Sequence, residues 1–344
     1  MKLLVLLLLF PFSLFAQWQA QNSNTDASFR AVSAVSNKVV WIGGTKGTFV
    51  RTTNGGETWE AGVVPGAENC DFRDVYAFSA KVAFLMAAGP AEEDQARLYR
   101  TGNGGKTWEL VYRTKQKGVF FDSIDFWNRW DGLVFSDPID GKWFVLQTTN
   151  GGRNWKQVSP SKLPPLQKGE AAFAASGTSL ITRGYKWRYN NYQKAWIASG
   201  GAGKGRVFSS QTHTENWKVT ETPIPAGPTS GIFGLWFDPQ GQIGIAVGGD
   251  YKDEKAASQN VAVTTDGGQT WTAGTPTNPP GLKEGIDRLS GKKLVAVGPS
   301  GTCYTEDYGK TWTKIDDSAF HSISCSGGRC WAVGAKGKVA VLSK

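Results

Sequence analysis

An eight-residue segment recurs along this chain and constrains its fold more than any other feature. Thr52-Thr-Asn-Gly-Gly-Glu-Thr-Trp59 returns as Thr101-Gly-Asn-Gly-Gly-Lys-Thr-Trp108, Thr148-Thr-Asn-Gly-Gly-Arg-Asn-Trp155, Thr264-Thr-Asp-Gly-Gly-Gln-Thr-Trp271 and Thr305-Glu-Asp-Tyr-Gly-Lys-Thr-Trp312. A degenerate copy runs from Ser210 to Trp217. Repeats at such intervals mark stacked supersecondary units, none of which buries its apolar faces alone. The box has a mechanical logic. Asn54, Asn103, Asn150, Asp266 and Asp307 can accept hydrogen bonds from backbone N–H groups just ahead, and the glycines that follow allow positive φ at little steric cost. Trp59, Trp108, Trp155, Trp271 and Trp312 then enter the next strand and close their apolar bodies over the turn.

Two further strand signals precede the boxes. Openings read Phe29-Arg-Ala-Val32, Phe72-Arg-Asp-Val75, Phe121-Asp-Ser-Ile124 and Phe320-His-Ser-Ile323. Second strands read Ile245-Ala-Val-Gly248, Val295-Ala-Val-Gly298 and Trp331-Ala-Val-Gly334. A third strand leads into the box and a fourth follows its Trp. Six boxes mark six blades, and Phe320 to Leu342 supplies three more strands with no fourth. Trp18-Gln-Ala resembles the post-box segments Trp59-Glu-Ala and Trp108-Glu-Leu, so this N-terminal strand is predicted to complete the C-terminal blade. The expectation is an all-β, seven-bladed propeller of four-stranded blades over residues 17–344, whose closure hides sheet edges. Composition agrees, since 43 Gly, 15 Trp and 18 Phe beside 2 Met suit short strands and tight turns.

Met1-Lys2 followed by the apolar run Leu3 to Phe15 reads as a signal peptide, with cleavage near Ala16. A secreted or periplasmic protein with no transmembrane segment is expected, and a monomer. Export permits disulfides. Cys325 and Cys330 flank Ser-Gly-Gly-Arg, where a tight hairpin brings two thiols within bridging range; a bridge and a pair of free thiols both remain open. Cys70 and Cys303 are expected free and buried. Two His and four Cys leave no stock for a multi-ligand Zn or haem site, so neither metal nor cofactor is expected. The net charge of +9 suits either an acidic partner or a solvated exterior. Nucleic acid is not an expected partner, because no DNA- or RNA-binding motif occurs.

With their flanking strands, the boxes resemble the Asp-box, or BNR, repeats of sialidase-type propellers. From Trp18 to Leu342 the chain is similar to the photosystem II assembly and stability factor family and its secreted bacterial relatives. That resemblance implies a non-catalytic propeller that binds a client protein or peptide, as an assembly factor for an envelope or extracellular complex. It also makes the boxes structural elements.

Loops between blades and between second and third strands open on the face opposite the boxes. Long insertions are assigned to that face at Ala88 to Ala96, Ser136 to Lys142, Gly184 to Lys194, Gly200 to Gly205 and Gly249 to Gln259. The second opening position places Arg30, Arg73, Asp122, Ala171, Phe233, Glu284 and His321 at the channel mouth, with Glu170 one place earlier in its blade. These residues either hold an anionic or peptide ligand through charge-assisted bonds or form solvated ion pairs around a water-filled channel. The insertion carrying Arg183, Tyr185, Trp187 and Arg188 either stacks a sugar or peptide or packs on the rim.

A carbohydrate-active propeller is the enzyme alternative. A sialidase needs an arginine triad, but Ala31-Val32 and Asp74-Val75 stand where that family's Arg-Ile-Pro opening would continue. Another glycoside hydrolase would rely on carboxylates such as Asp122 and Glu284. An oxidoreductase with a cofactor on the axis is the second alternative. Gly200-Gly-Ala-Gly-Lys-Gly205 does not supply its site, because Gly205 stands where a phosphate-binding loop requires Ser or Thr.

Overall fold

The computed structural model describes residues 17–184, 186, 187, 190, 191 and 193–343. The leader expected at 1–16 lies outside them, as do Tyr185 and Arg188. Seven four-stranded antiparallel sheets form the blades. Blade one consists of Phe29–Ala34, Val40–Gly44, Thr48–Thr52 and Glu60–Val63. The first strands of blades two to seven are Phe72–Ala77, Phe121–Phe126, Leu180–Arg183, Ser230–Phe237, Gly285–Ser290 and Ser322–Ser326. All seven blades contribute to the lining of one central channel, among them Ser33, Asp74, Asp125, Thr178, Leu235, Asp287 and Ser324.

The ring closes as the sequence predicts. Gln19–Asn22 pairs antiparallel with Lys338–Ser343, register Gln19 to Val341 through Asn22 to Lys338, and becomes the fourth strand of blade seven. Trp18 anchors it by donating a hydrogen bond from Nε1 to Thr302 Oγ1 at 3.1 Å and packing on Phe320 with ring centroids 5.0 Å apart. Cys325 and Cys330 are direct cross-strand partners in blade seven and are joined by a disulfide, while Cys70 and Cys303 are free and buried.

The boxes are hydrogen-bonded turns. Asn54 Oδ1 accepts the Thr58 N–H at 3.0 Å, and the Thr52 hydroxyl accepts the Gly56 N–H at 2.9 Å. Asp266 takes the same place and also accepts from Gln269 N at 2.9 Å and Thr270 Oγ1 at 2.6 Å. These donors outweigh the desolvation that would raise its pKa and hold its carboxyl down at about 2. The second box glycine also joins blades. A Cβ on Gly105 of blade two would sit 2.7 Å from the Phe49 ring of blade one, so only glycine lets these surfaces meet. Large rings fill the blade interfaces, and Trp41, Trp143, Trp196 and Trp331 are fully buried. Among the described residues no helix is long and apolar enough to cross a membrane.

Blade four departs from the sequence reading in two ways. Its first strand begins at Leu180, and Ala171 instead makes an isolated bridge to Gly200. The Gly184 to Lys194 insertion connects the first and second strands, Leu180–Arg183 and Lys194–Ala198, which places it on the Asp-box face rather than opposite. The physical reason is that the segment before Leu180 lacks a Phe-x-x-Val opening and makes only an isolated bridge, so blade four begins one connection later than the pattern predicts. Within it Lys186 and Trp187 pair with Asn191 and Asn190.

Candidate functional site

A β-bulge at the start of the first strand re-aims one side chain in several blades. The ladder breaks register between Phe29 and Ala31, Phe72 and Asp74, Phe121 and Ser123, and Ile232 and Gly234. Each extra residue, Arg30, Arg73, Asp122 or Phe233, leaves the alternation that would send it into the sheet interface. The buried rings of Phe29, Phe72 and Phe121 hold three of these bulges from behind. Arg30, Arg73 and Asp122 are thereby turned into one cavity of about 410 Å³ at the channel mouth opposite the boxes, which Glu284 and His321 also line from just ahead of their strands.

The charges in this cavity are arranged unequally. Glu284 is 5% exposed; its Oε2 accepts a hydrogen bond from His321 Nδ1 at 2.7 Å, and its Oε1 lies 3.6 Å from Arg30 Nη1. Arg73 is tied to Asp71 at 2.8 Å and lies over the Phe120 ring at 5.9 Å. Asp122 is 1% exposed, and its Oδ2 has no hydrogen-bond partner among the described residues. Burial, then the charge of Asp137, pushes the Asp122 carboxyl well above the ordinary range, with Arg73 opposing. Asp137 is itself raised by burial, while its Oδ1 accepts the Ala172 N–H at 3.2 Å. Phe173 stacks on Phe233 with centroids 4.3 Å apart, and Tyr251 meets Phe173 edge-on at 6.0 Å.

Glu170 does not join this group. It is buried with Arg206, whose Nε donates to Glu170 Oε1 at 2.9 Å, and it accepts the Ser199 hydroxyl at 2.6 Å. Arg183 reaches the opposite mouth, where its Nε donates to the Phe237 carbonyl at 3.0 Å. Tyr185 and Arg188 lie outside the described residues, and Trp187 is placed by its backbone pairing alone.

Sequence reasoning missed Asp137, Tyr251 and Glu254, although it selected the Ser136 to Lys142 and Gly249 to Gln259 loops that carry them. It also missed the channel aspartates. Asp125 Oδ2 accepts the Thr182 N–H at 2.6 Å, and Asp287 Oδ2 accepts the Cys325 N–H at 2.7 Å. Local pattern carries no signal for them, because a buried carboxylate must find donors and these donors lie on the next blade. Among the described residues no group of three or more His, Cys, Asp or Glu is placed to hold a metal ion.

Comparison with known proteins agrees with this architecture. The BNR/Asp-box repeat family matches residues 262–273. The photosystem II assembly lipoprotein Ycf48 of Picosynechococcus sp. is 25% identical over 281 residues, covering 74% of this chain and 76% of the relative. The photosystem II stability/assembly factor HCF136 of Oryza sativa subsp. japonica is 27% identical over 142 residues, 40% of this chain and 32% of that protein. Xyloglucanase Xgh74A of Acetivibrio thermocellus is 25% identical over 258 residues, 65% of this chain and 28% of the enzyme. Among solved structures, YCF48 bound to D1 peptide superposes with a TM-score of 0.66 at 14% identity, covering 95% of this chain and 97% of that one. Virginiamycin B lyase from Staphylococcus aureus superposes at 0.69 with 13% identity, covering 95% and 99%. The chain is thus a seven-bladed propeller of BNR/Asp-box repeats, with homologues among the Ycf48- and HCF136-like photosystem II assembly factors.

Proposed function

We propose that this protein is an exported, non-catalytic propeller that binds a protein or peptide at the channel mouth opposite the boxes and serves as an assembly or stability factor. The observation that carries the reading is the convergence of Arg30, Arg73, Asp122, Glu284 and His321 with Phe173 and Tyr251 around one cavity. Charged groups with defined partners beside aromatic walls suit an extended polypeptide, whose backbone and side chains offer both kinds of contact. The relative solved with a D1 peptide supports a peptide guest for this fold. The test is affinity capture from the native envelope fraction with the wild type, Tyr251→Ala and an Asp-box-face control, Arg153→Ala. A partner retained by wild type and control but lost from Tyr251→Ala supports the reading. Equal capture by all three overturns the site, and an empty capture overturns the function.

A carbohydrate-active propeller is the second reading, favoured by the xyloglucanase match and by Asp122 and Asp137 facing one cavity with raised pKa values. Release of reducing ends from xyloglucan, abolished in Asp122→Ala or Glu284→Ala, would establish it in place of the first.

A further inference from the structure

Two arginines at the mouth suggest an anionic guest, but their partners argue otherwise. Arg73 already holds Asp71, and Arg30 already faces Glu284. Asp122 is the group left wanting: it is 1% exposed, and its Oδ2 is buried without a hydrogen-bond partner among the described residues. A buried oxygen in that state carries an uncompensated desolvation cost until a donor reaches it. Asp137 stands close enough to oppose its ionisation. The same cavity is lined by four carboxylates, Asp122, Asp137, Glu254 and Glu284, against two guanidiniums. A cation entering here would supply the missing donor and draw the raised Asp122 carboxyl into its ionised form, whereas an anion would hold it protonated. The rings of Phe173, Phe233 and Tyr251 line the same space, and aromatic walls attract ammonium and guanidinium groups through their quadrupoles.

We infer that the mouth cavity takes a cationic side chain of the bound polypeptide, a lysine ammonium or an arginine guanidinium, with Asp122 as its counter-charge and the Phe173, Phe233 and Tyr251 rings as its walls. This rests on the reading of the mouth as a binding site and names the chemistry of its guest. Lysine and arginine share what the cavity needs, a positive charge carrying N–H donors on an apolar stem.

The test uses the full chain and four probes: N-acetyl-lysine methylamide, N-acetyl-arginine methylamide, N-acetyl-glutamate methylamide and calcium chloride, titrated by NMR. At least one cationic amide is expected to bind and the glutamate amide not to. Asp122→Asn keeps the shape of the side chain and removes its charge, and should weaken the cationic probe about tenfold. Tyr251→Ala alters an exposed ring rather than the core and should weaken it about threefold. Preferred binding of the glutamate amide, or cation binding unchanged in both variants, would overturn the inference. So would calcium binding that depends on Asp122 without binding of either cationic amide, because the cavity would then be an inorganic cation site. The two readings separate cleanly. If a partner is captured through the mouth but neither cationic amide binds, the function stands and this inference falls. If no partner is captured, the function falls while the probe titration still decides the guest chemistry.

Discussion

Asp74 in the first strand of blade two accepts a hydrogen bond from the backbone N–H of Ile124 in blade three at 2.7 Å. The same carboxylate takes the Ser123 hydroxyl at 2.8 Å and the Val75 N–H at 2.7 Å. The link recurs around the channel. Asp125 reaches Thr182, Asp287 reaches Cys325, Ser324 receives Ala34, and Ser33 receives Ala77. First strands of neighbouring blades have no ladder between them, so these side chains supply polar links that the sheets lack.

Replacing Asp74 by Ala should therefore leave the Ile124 N–H and the Ser123 hydroxyl without this acceptor. A loss of about 1–3 kcal/mol is expected in urea unfolding, the range for leaving a buried donor unsatisfied. Ser33→Ala removes a neutral acceptor at the same kind of junction and should cost about 1–3 kcal/mol.

The same groups set a pH dependence. Burial pushes Asp74 up to about 7 against the donors from Ile124, Ser123 and Val75, and pushes Asp125 up to about 6 against the charge of Arg183. The folded state thus binds more protons than the unfolded chain between their ordinary pKa, near 4, and these values. Their stabilising contribution is complete below about pH 4 and is lost as pH rises through about 6 and 7. The midpoint of thermal unfolding should fall from pH 5 to pH 8, and the slope should be shallower in Asp74→Asn.

At the boxes, Asp266→Asn should be nearly neutral, because Asn54 and Asn103 already accept the equivalent N–H in their own blades. Asp266→Ala deprives Gln269 N, Thr270 N and the Thr264 hydroxyl of their acceptor and should cost about 1–2 kcal/mol in chemical denaturation.

Glu170 and Arg30 should divide stability from binding. Glu170→Gln disrupts a buried ion pair with Arg206 and should lower stability by about 3–5 kcal/mol, with partner capture unchanged in the surviving folded protein. Arg30→Gln, at a half-buried mouth position, should change stability by about 0.5 kcal/mol or less and alter capture.

These contrasts show where sequence was informative. Six boxes and a lone Trp18 segment predicted seven blades and the closing strand, because turn chemistry and tryptophan are tied to local backbone geometry. The second opening position also brought Arg30, Arg73, Asp122, Glu284 and His321 to one mouth, four of the five directly after a Phe. It failed for Glu170 and Ala171, where blade four has no such opening and the strand count slipped. Asp74 lay in plain view inside Phe72-Arg-Asp-Val75, yet its partners belong to the next blade, about 50 residues away, beyond the reach of local pattern. Tyr251 and Asp137 sit on loops, whose side-chain directions depend on the scaffold beneath.

The pairing of Gln19–Asn22 with Lys338–Ser343 has a consequence for how the molecule is made. Of the described strands, the earliest to be synthesised is the last to find its place, since its neighbour is made more than 300 residues later. Every nascent chain must carry an unmatched leading segment past six forming blades, and the circle is completed only after synthesis reaches the final strand. A molecule interrupted anywhere before that strand keeps an open seam, so an intact ring records that synthesis reached that final strand.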